Sequence, residues 1–353
     1  MKRTMLVLLT CAVIATSCAM SHAQISKVKV AFCSKAMSPA IAPYAIATKM
    51  GWFKEEGIDV TLVSLNGSGD CVRNVATKEV LFAAPSVEPL AAARIQGVKA
   101  KTYYTAYEGN TYGIAVPIDS PIVKITDLKG KTIGLTSMGS GGLLVGKAIV
   151  ATAGMNPERD VRFVVAGESA QTAAMLRNKQ VDALSQFDTQ YALVENAGIK
   201  LRLLDTKEIE RYPSNGFIAL EETLRTRRKD AVGLARAYAK GTIFAINNPE
   251  AAVRIFYEVY PDAKPTGKDE ATIIREGINV LQARIPTWNP ERGGVKRWGE
   301  NSELNYASYM DFLLKWGVIK QKVDVKDVVT NELIDDINKF DASKVVAEAK
   351  AYK

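Results

Sequence analysis

Histidine is almost missing from this chain: one residue in 353, His22. It falls in an N-terminal segment that reads as a cleavable leader, so the mature chain is expected to hold no imidazole. That excludes Ser-His-Asp and Cys-His catalysis and every histidine-based metal site. Cysteine is scarce as well, at four residues, and Cys11 and Cys18 lie in the same leader. Beyond the extreme N-terminus there is no apolar run long enough to cross a bilayer. Basic residues outnumber acidic ones 46 to 38, a formal charge of +8. No Lys/Arg stripe interleaves with aromatics, however, so nucleic acid is not an expected partner. Repeats of solenoid period and low-complexity tracts are lacking too. With 47% hydrophobic residues, disordered and fibrous classes are excluded.

Residues 1–23 have the layout of a secretory signal. Lys2 and Arg3 form the charged region, Met5 to Ala15 the apolar stretch, and Ser21-His22-Ala23 the small-residue cleavage site, making Gln24 the expected mature start. A lipoprotein alternative would use Cys18, but it lacks the usual leucine three residues earlier. The expected location is therefore the periplasm, where disulfides persist. Cys33 and Cys71 both follow predicted strands that should be neighbours, which makes them disulfide candidates; two buried free thiols are the alternative.

From Gln24 onward, short β-rich runs alternate with helical segments, the pattern of βαβ units. Predicted strands cover 27–32, 58–65, 80–84 and 101–106, with a helix over 41–54 between the first two. A second series follows: 113–117, 131–135, 161–165, 181–185 and 200–204, closed by 215–220. After Glu221 the character changes to helices over 228–247, 249–260, 268–284, 302–317 and 325–342. A helical tail of this length needs a surface to pack on, and the first sheet supplies it. The expectation is an α/β chain of two lobes, each an open sheet with flanking helices. Residues 24–113 plus 217–353 would form lobe I and residues 114–216 lobe II, joined by two crossing hinge strands near Gly113–Ala115 and Asn215–Phe217.

The strongest local signal is the turn Thr136-Ser137-Met138-Gly139-Ser140-Gly141-Gly142. It joins a strand to a helix, so the first helical N–H groups and the helix dipole favour an anion there. A plain N-cap is the alternative. Gly141, Gly146 and Lys147 match phosphate-loop spacing, but Ala148 replaces the magnesium-binding Ser/Thr. Nucleotide hydrolysis is set aside on that departure. Other strand ends present Ser34 and Ser38, Ser86 and Glu88, and Phe187 and Asp188, where open α/β sheets bind ligands. Glu88 and Asp188 can accept from an amine or amide; Asp188 as a helix cap and Glu88 at the surface are the alternatives. Tyr103, Tyr104, Tyr107 and Tyr112 cluster before the hinge. Core packing is the default for them, with Tyr107 or Tyr112 the ones to reach a ligand. Trp288 could wall the cleft.

Several stretches carry a resemblance. They are Ala47-Thr48-Lys49-Met50-Gly51-Trp52-Phe53-Lys54-Glu55-Glu56-Gly57-Ile58-Asp59-Val60, Asp127-Leu128-Lys129-Gly130-Lys131-Thr132-Ile133-Gly134, Gly139-Ser140-Gly141-Gly142, Val181-Asp182-Ala183-Leu184-Ser185, Val329-Thr330-Asn331-Glu332-Leu333-Ile334 and Asn338-Lys339-Phe340-Asp341. Together they span nearly the whole mature chain, which resembles the periplasmic solute-binding proteins of ABC importers. The similarity lies with the nitrate/sulfonate/taurine and thiamine-pyrimidine-precursor group of the type II fold. The resemblance implies a solute trapped between two lobes and handed to an inner-membrane ABC permease. It carries over Ser34, Ser38, Ser86, Glu88, Thr136, Ser137, Gly139, Ser140, Gly141, Phe187, Asp188 and Asn215 as ligand contacts, beside Tyr112 from the aromatic cluster. A monomer without cofactor or metal is expected. The solute would be a sulfonate, a carboxylate, or an amino-pyrimidine or other aromatic compound.

Two rival enzymes share the fold. A pyrimidine-precursor synthase leans on an active-site histidine, which the mature chain is expected to lack. A carboxylate-based hydrolase would have to use Glu88 and Asp188. A sensor domain would need a following membrane or output segment, which is not expected here.

Overall fold

The computed structural model describes residues 25–353. The expected signal peptide, with Cys11, Cys18 and His22, lies outside the described residues. Ten strands run in chain order: β1 Ser26–Phe32, β2 Ile58–Ser64, β3 Phe82–Ala83, β4 Ala100–Thr105, β5 Ala115–Pro117, β6 Thr132–Leu135, β7 Arg162–Val165, β8 Ala183–Leu184, β9 Leu201–Leu203 and β10 Gly216–Leu220. They divide into two five-stranded sheets, ordered β2-β1-β3-β10-β4 and β7-β6-β8-β5-β9.

Each sheet is built to one plan. Three parallel strands come first: β1 pairs in parallel with β2 and β3, and β6 with β7 and β8. The next strand is antiparallel to both of its neighbours, and it arrives from the other sheet. That strand is β10 in the first sheet and β5 in the second. The chain therefore leaves the first sheet after Thr105 and returns at Gly216. The two crossing segments bond to one another: Ala106 and Tyr107 N–H donate to the Asn215 carbonyl, and Ser214 N–H donates back to Tyr107. Backbone pairing is what fixes these connections in register.

The strands form where β-branched residues alternate or run continuously. Val28 and Val30 of β1 are fully buried, as is Ile133 of β6, because helices cover both faces of a parallel sheet. The helix Arg228–Asn247 lies against Ala42–Lys49 in the first core, through Tyr238, Tyr44 and Phe244.

Two helix expectations are corrected by local chemistry. The run 41–54 breaks at Gly51, which takes φ 76° and separates Ala42–Lys49 from Trp52–Glu55; only glycine adopts that conformation without strain. The run 325–342 is three pieces, Val325–Val328, Ile334–Ile337 and Ala342–Ala351. Thr330 N–H donates to the Thr102 carbonyl, Val329 bridges to Thr102, and Asn331 bonds Asn301 on both sides. Pairing with β4 overrides the helical spacing there.

The tail also does more than cover the first sheet. The helix Glu270–Trp288 packs against Asp188–Asn196, which follows β8 of the second sheet. Among the described residues no helix is long and apolar enough to cross a membrane.

Candidate functional site

The carboxyl ends of β1, β3 and β8 point toward one another, and a cavity of about 60 Å³ lies between them. From the first sheet come Phe32, Cys33 and Ser34 at the end of β1, Ser38, Ala84 and Asn215. From the second come Tyr112, Phe187, Thr189 and Gln190. Tyr44, Tyr107 and Tyr238 add ring surface, and Arg284 reaches in from the helix Glu270–Trp288. A cavity at the strand ends is where an open α/β sheet leaves backbone groups and loop side chains free for a ligand.

Among the described residues that line this cavity, Arg284 carries the one charge. It is 3% exposed, and its guanidinium sits 3.9 Å above the Tyr107 ring. Nη2 donates to Asp188 Oδ1 at 2.5 Å and approaches Thr189 Oγ1 at 3.4 Å. Nε and Nη1 have no partner, which leaves three N–H donors without an acceptor. Burial pushes the Asp188 carboxyl up to about 6, against the pull of Arg284 and the Thr189 N–H. Asp188 itself faces a neighbouring groove, beside Tyr191 and Asn279. It is the first residue of its helix, where its Oδ1 also accepts from Thr189 N–H.

Of the residues expected from the sequence, Ser34, Ser38, Tyr112, Phe187 and Asn215 line the cavity; Ser86, Glu88, Thr136, Ser137, Gly139, Ser140, Gly141 and Asp188 do not. Glu88 is fully buried, not at the surface, with Tyr309 O–H donating to its Oε1 and Oε2 unpartnered. Burial raises its carboxyl above the usual range. Ser86 Oγ, also buried and unpartnered, lies beside Gly141, where a Cβ would meet it at 2.3 Å. Trp288 is core rather than cleft wall, 1% exposed.

The glycine-rich turn meets protein rather than the cavity. Ser140 caps its helix by accepting from Gly142 N–H at 3.1 Å. Ser137 Oγ donates to the Asn66 carbonyl at 3.0 Å, and Gly69 N–H donates to the Gly139 carbonyl at 3.0 Å. A Cβ on Gly67 would lie 2.6 Å from Gly139, and one on Gly139 2.7 Å from the Asn66 oxygen. The loops after β2 and β6 thus close on each other backbone to backbone.

On another part of the rim, Glu168 accepts from Ser34 Oγ at 2.9 Å, from Lys35 N–H at 3.2 Å and from Ala36 N–H at 3.1 Å. Asn196 Nδ2 donates to the Glu276 carbonyl, and Asn196 Oδ1 accepts from Asn279 Nδ2. The arrangement is a closed cleft. Cys33 and Cys71 form a disulfide that ties the cavity-lining end of β1 to the helix Ser68–Ala76.

Arg284 and Glu168 escaped the sequence reading. A signal for Arg284 existed: it falls on the apolar face set by Ile273, Gly277, Val280, Leu281 and Trp288. A lone arginine at core spacing needs a buried partner. Glu168 has no local signature, since its donors lie more than 130 residues away.

Residues 38–252, more than half of the chain, match the family described as NMT1/THI5 like. The riboflavin-binding protein RibY of Chloroflexus aurantiacus is 26% identical over 297 residues, 83% of this chain and 82% of that protein. A putative aliphatic sulfonates-binding protein of Bacillus subtilis is 23% identical over 319 residues, 89% of this chain and 88% of its own length. The alkanesulfonate-binding protein SsuA from Xanthomonas axonopodis pv. citri, bound to MOPS, superposes with a TM-score of 0.64 at 15% identity, over 86% of this chain and 98% of that one. The two-sheet architecture is that of the periplasmic binding proteins, and the chain belongs to the NMT1/THI5-like family.

Proposed function

We propose that this chain is the exported substrate-binding component of an ABC importer, and that it holds a small organic solute in the cavity between its two sheets. The observation that carries the reading is the enclosure itself: one small cavity walled by loops of both sheets, with the rim closed by direct contacts between them. The crossings move the expected boundaries inward: residues 25–107 plus 214–353 act as one lobe and 108–213 as the other. The paired crossings Ala106–Tyr107 and Ser214–Asn215 serve as the hinge.

Closure is a population shift. A solute touching Ser34, Ser38 and Asn215 on one side and Tyr112 and Phe187 on the other binds the closed state better than the open one. Glu168, Gly67 and Gly139 complete the closed rim, and Ser137 and Ser140 serve that closure rather than the solute. The closed rim, with Met138 exposed beside it, presents the permease with a surface that opening dismantles. Relatives named for riboflavin and for aliphatic sulfonates support a binding role.

Native mass spectrometry of the mature protein purified from its host tests this. The expected result is a one-to-one non-covalent adduct of a few hundred daltons that is lost on denaturation. Bare protein under gentle conditions, with turnover of added esters or amides, contradicts it.

A further inference from the structure

We infer that the solute is an aromatic acid, a compact ring carrying a carboxylate or sulfonate, and that Arg284 is the residue that selects the acidic group. The inference rests on the binding reading above and deepens it.

Two independent features of the cavity converge. The first is the buried guanidinium with Nε and Nη1 unpartnered. Asp188 accepts from Nη2 alone and lines the neighbouring groove rather than this cavity, so Nε and Nη1 keep their donors. A buried donor without an acceptor is costly, and a charged acceptor relieves that cost best. The other polar groups of the wall are neutral and partly committed already: Asn215 Nδ2 donates to the Ala84 carbonyl, and Thr111 is bonded to Ser214. No other residue of the lining carries a positive charge.

The second feature is the ring surface. Phe32, Tyr44, Tyr107, Tyr112, Phe187 and Tyr238 all contribute to the wall. Tyr112 and Phe187 meet edge to face at 5.9 Å, and Tyr44 and Tyr238 at 4.8 Å. Walls of this kind favour a flat ring over an alkyl chain, because ring faces and edges add attraction beyond buried area. The enclosed space, about 60 Å³, is below the roughly 150 Å³ that holds a benzene ring, so the wall must open to admit one ring and open further to admit three.

The test uses the mature protein, stripped of endogenous solute by unfolding and refolding, in thermal-shift and calorimetric titrations. The probes are benzoate, benzenesulfonate, benzamide, cyclohexanecarboxylate, taurine and riboflavin. At 5 mM, benzoate or benzenesulfonate is expected to raise Tm by at least 3 °C, with benzamide and cyclohexanecarboxylate giving less than a third of that. Arg284→Gln is expected to weaken binding of the acid at least 30-fold while changing benzamide affinity less than 3-fold. Should that variant not fold, the comparison of benzoate with benzamide on the unaltered protein decides. Benzamide binding as tightly as both acids overturns the role of Arg284. Taurine or riboflavin binding where neither aromatic acid does overturns the solute class and leaves the binding reading standing. No shift with any probe, together with no adduct in native mass spectrometry, overturns both.

Discussion

Ser34 donates to Glu168 across 2.9 Å, and the two residues sit on loops that follow strands of different sheets, β1 and β7. The contact forms part of the rim, and the Lys35 and Ala36 N–H groups share the same carboxylate. Three donors converging on one charged acceptor make a clasp, each bond contributing on the order of 1 kcal/mol at a partly exposed site. Glu168→Ala is expected to leave each sheet folded and to weaken solute binding 10- to 100-fold through loss of the closed state. Calorimetry checks the affinity. An unchanged dissociation constant contradicts the clasp.

The contact of Gly67 with Gly139 is steric rather than charged. A side chain at either position would enter the opposing backbone, and Gly67 adds φ 107°, a conformation that L residues rarely adopt. Gly139→Val is expected to hold the cleft open and lower solute affinity at least 100-fold. Loss of stability should stay below about 2 kcal/mol, because the substitution touches neither core. Unaltered affinity in this variant contradicts the view that the turn closes on protein.

The disulfide joins residues 38 apart in sequence, and closing a loop of that length stabilises the fold by about 4 kcal/mol in the chain-entropy description. Cys71→Ser is expected to lower the denaturant midpoint accordingly. Because Cys33 lines the cavity, it should also weaken solute binding. A stability loss under 1 kcal/mol contradicts the first expectation.

Asp188 gives the chain a pH signature. Burial lifts its carboxyl to about 6 from its ordinary 3.8, so the folded chain binds that proton more tightly than the unfolded chain does. Its contribution is therefore complete below about pH 4 and is lost as pH rises through about 6. Asp188→Asn removes this titration, and its stability relative to the unaltered protein is expected to climb by about 2 kcal/mol between pH 4 and 7. Denaturant titrations of both proteins across that range measure it. A constant difference contradicts the assignment.

The sheets were legible because each strand is a short β-branched run bounded by glycine, proline or a polar turn, and that signal is local. The disulfide pair was legible as one of two alternatives, since β1 and β2 are adjacent. Ser34, Ser38 and Phe187 followed from one rule, that ligands gather beyond strand ends, while Tyr112 came from the aromatic cluster and Asn215 from the family resemblance. That rule names loops, not directions. It could not tell that Ser86 and Glu88 are buried outside the cavity lining, or that Gly139 faces Asn66. Arg284 lay furthest from reach, 96 residues from its partner Asp188, in a tail whose helices read as cover for the first sheet alone. Long-range pairing decided that placement, and nothing within a helical window reports it.

Small-angle scattering on the solute-free mature protein, before and after its co-purified solute is restored, tests closure around a solute most directly. The radius of gyration should fall on addition, and scattering from the filled state should match the closed structure. An identical profile in both states, with the solute demonstrably bound, contradicts it.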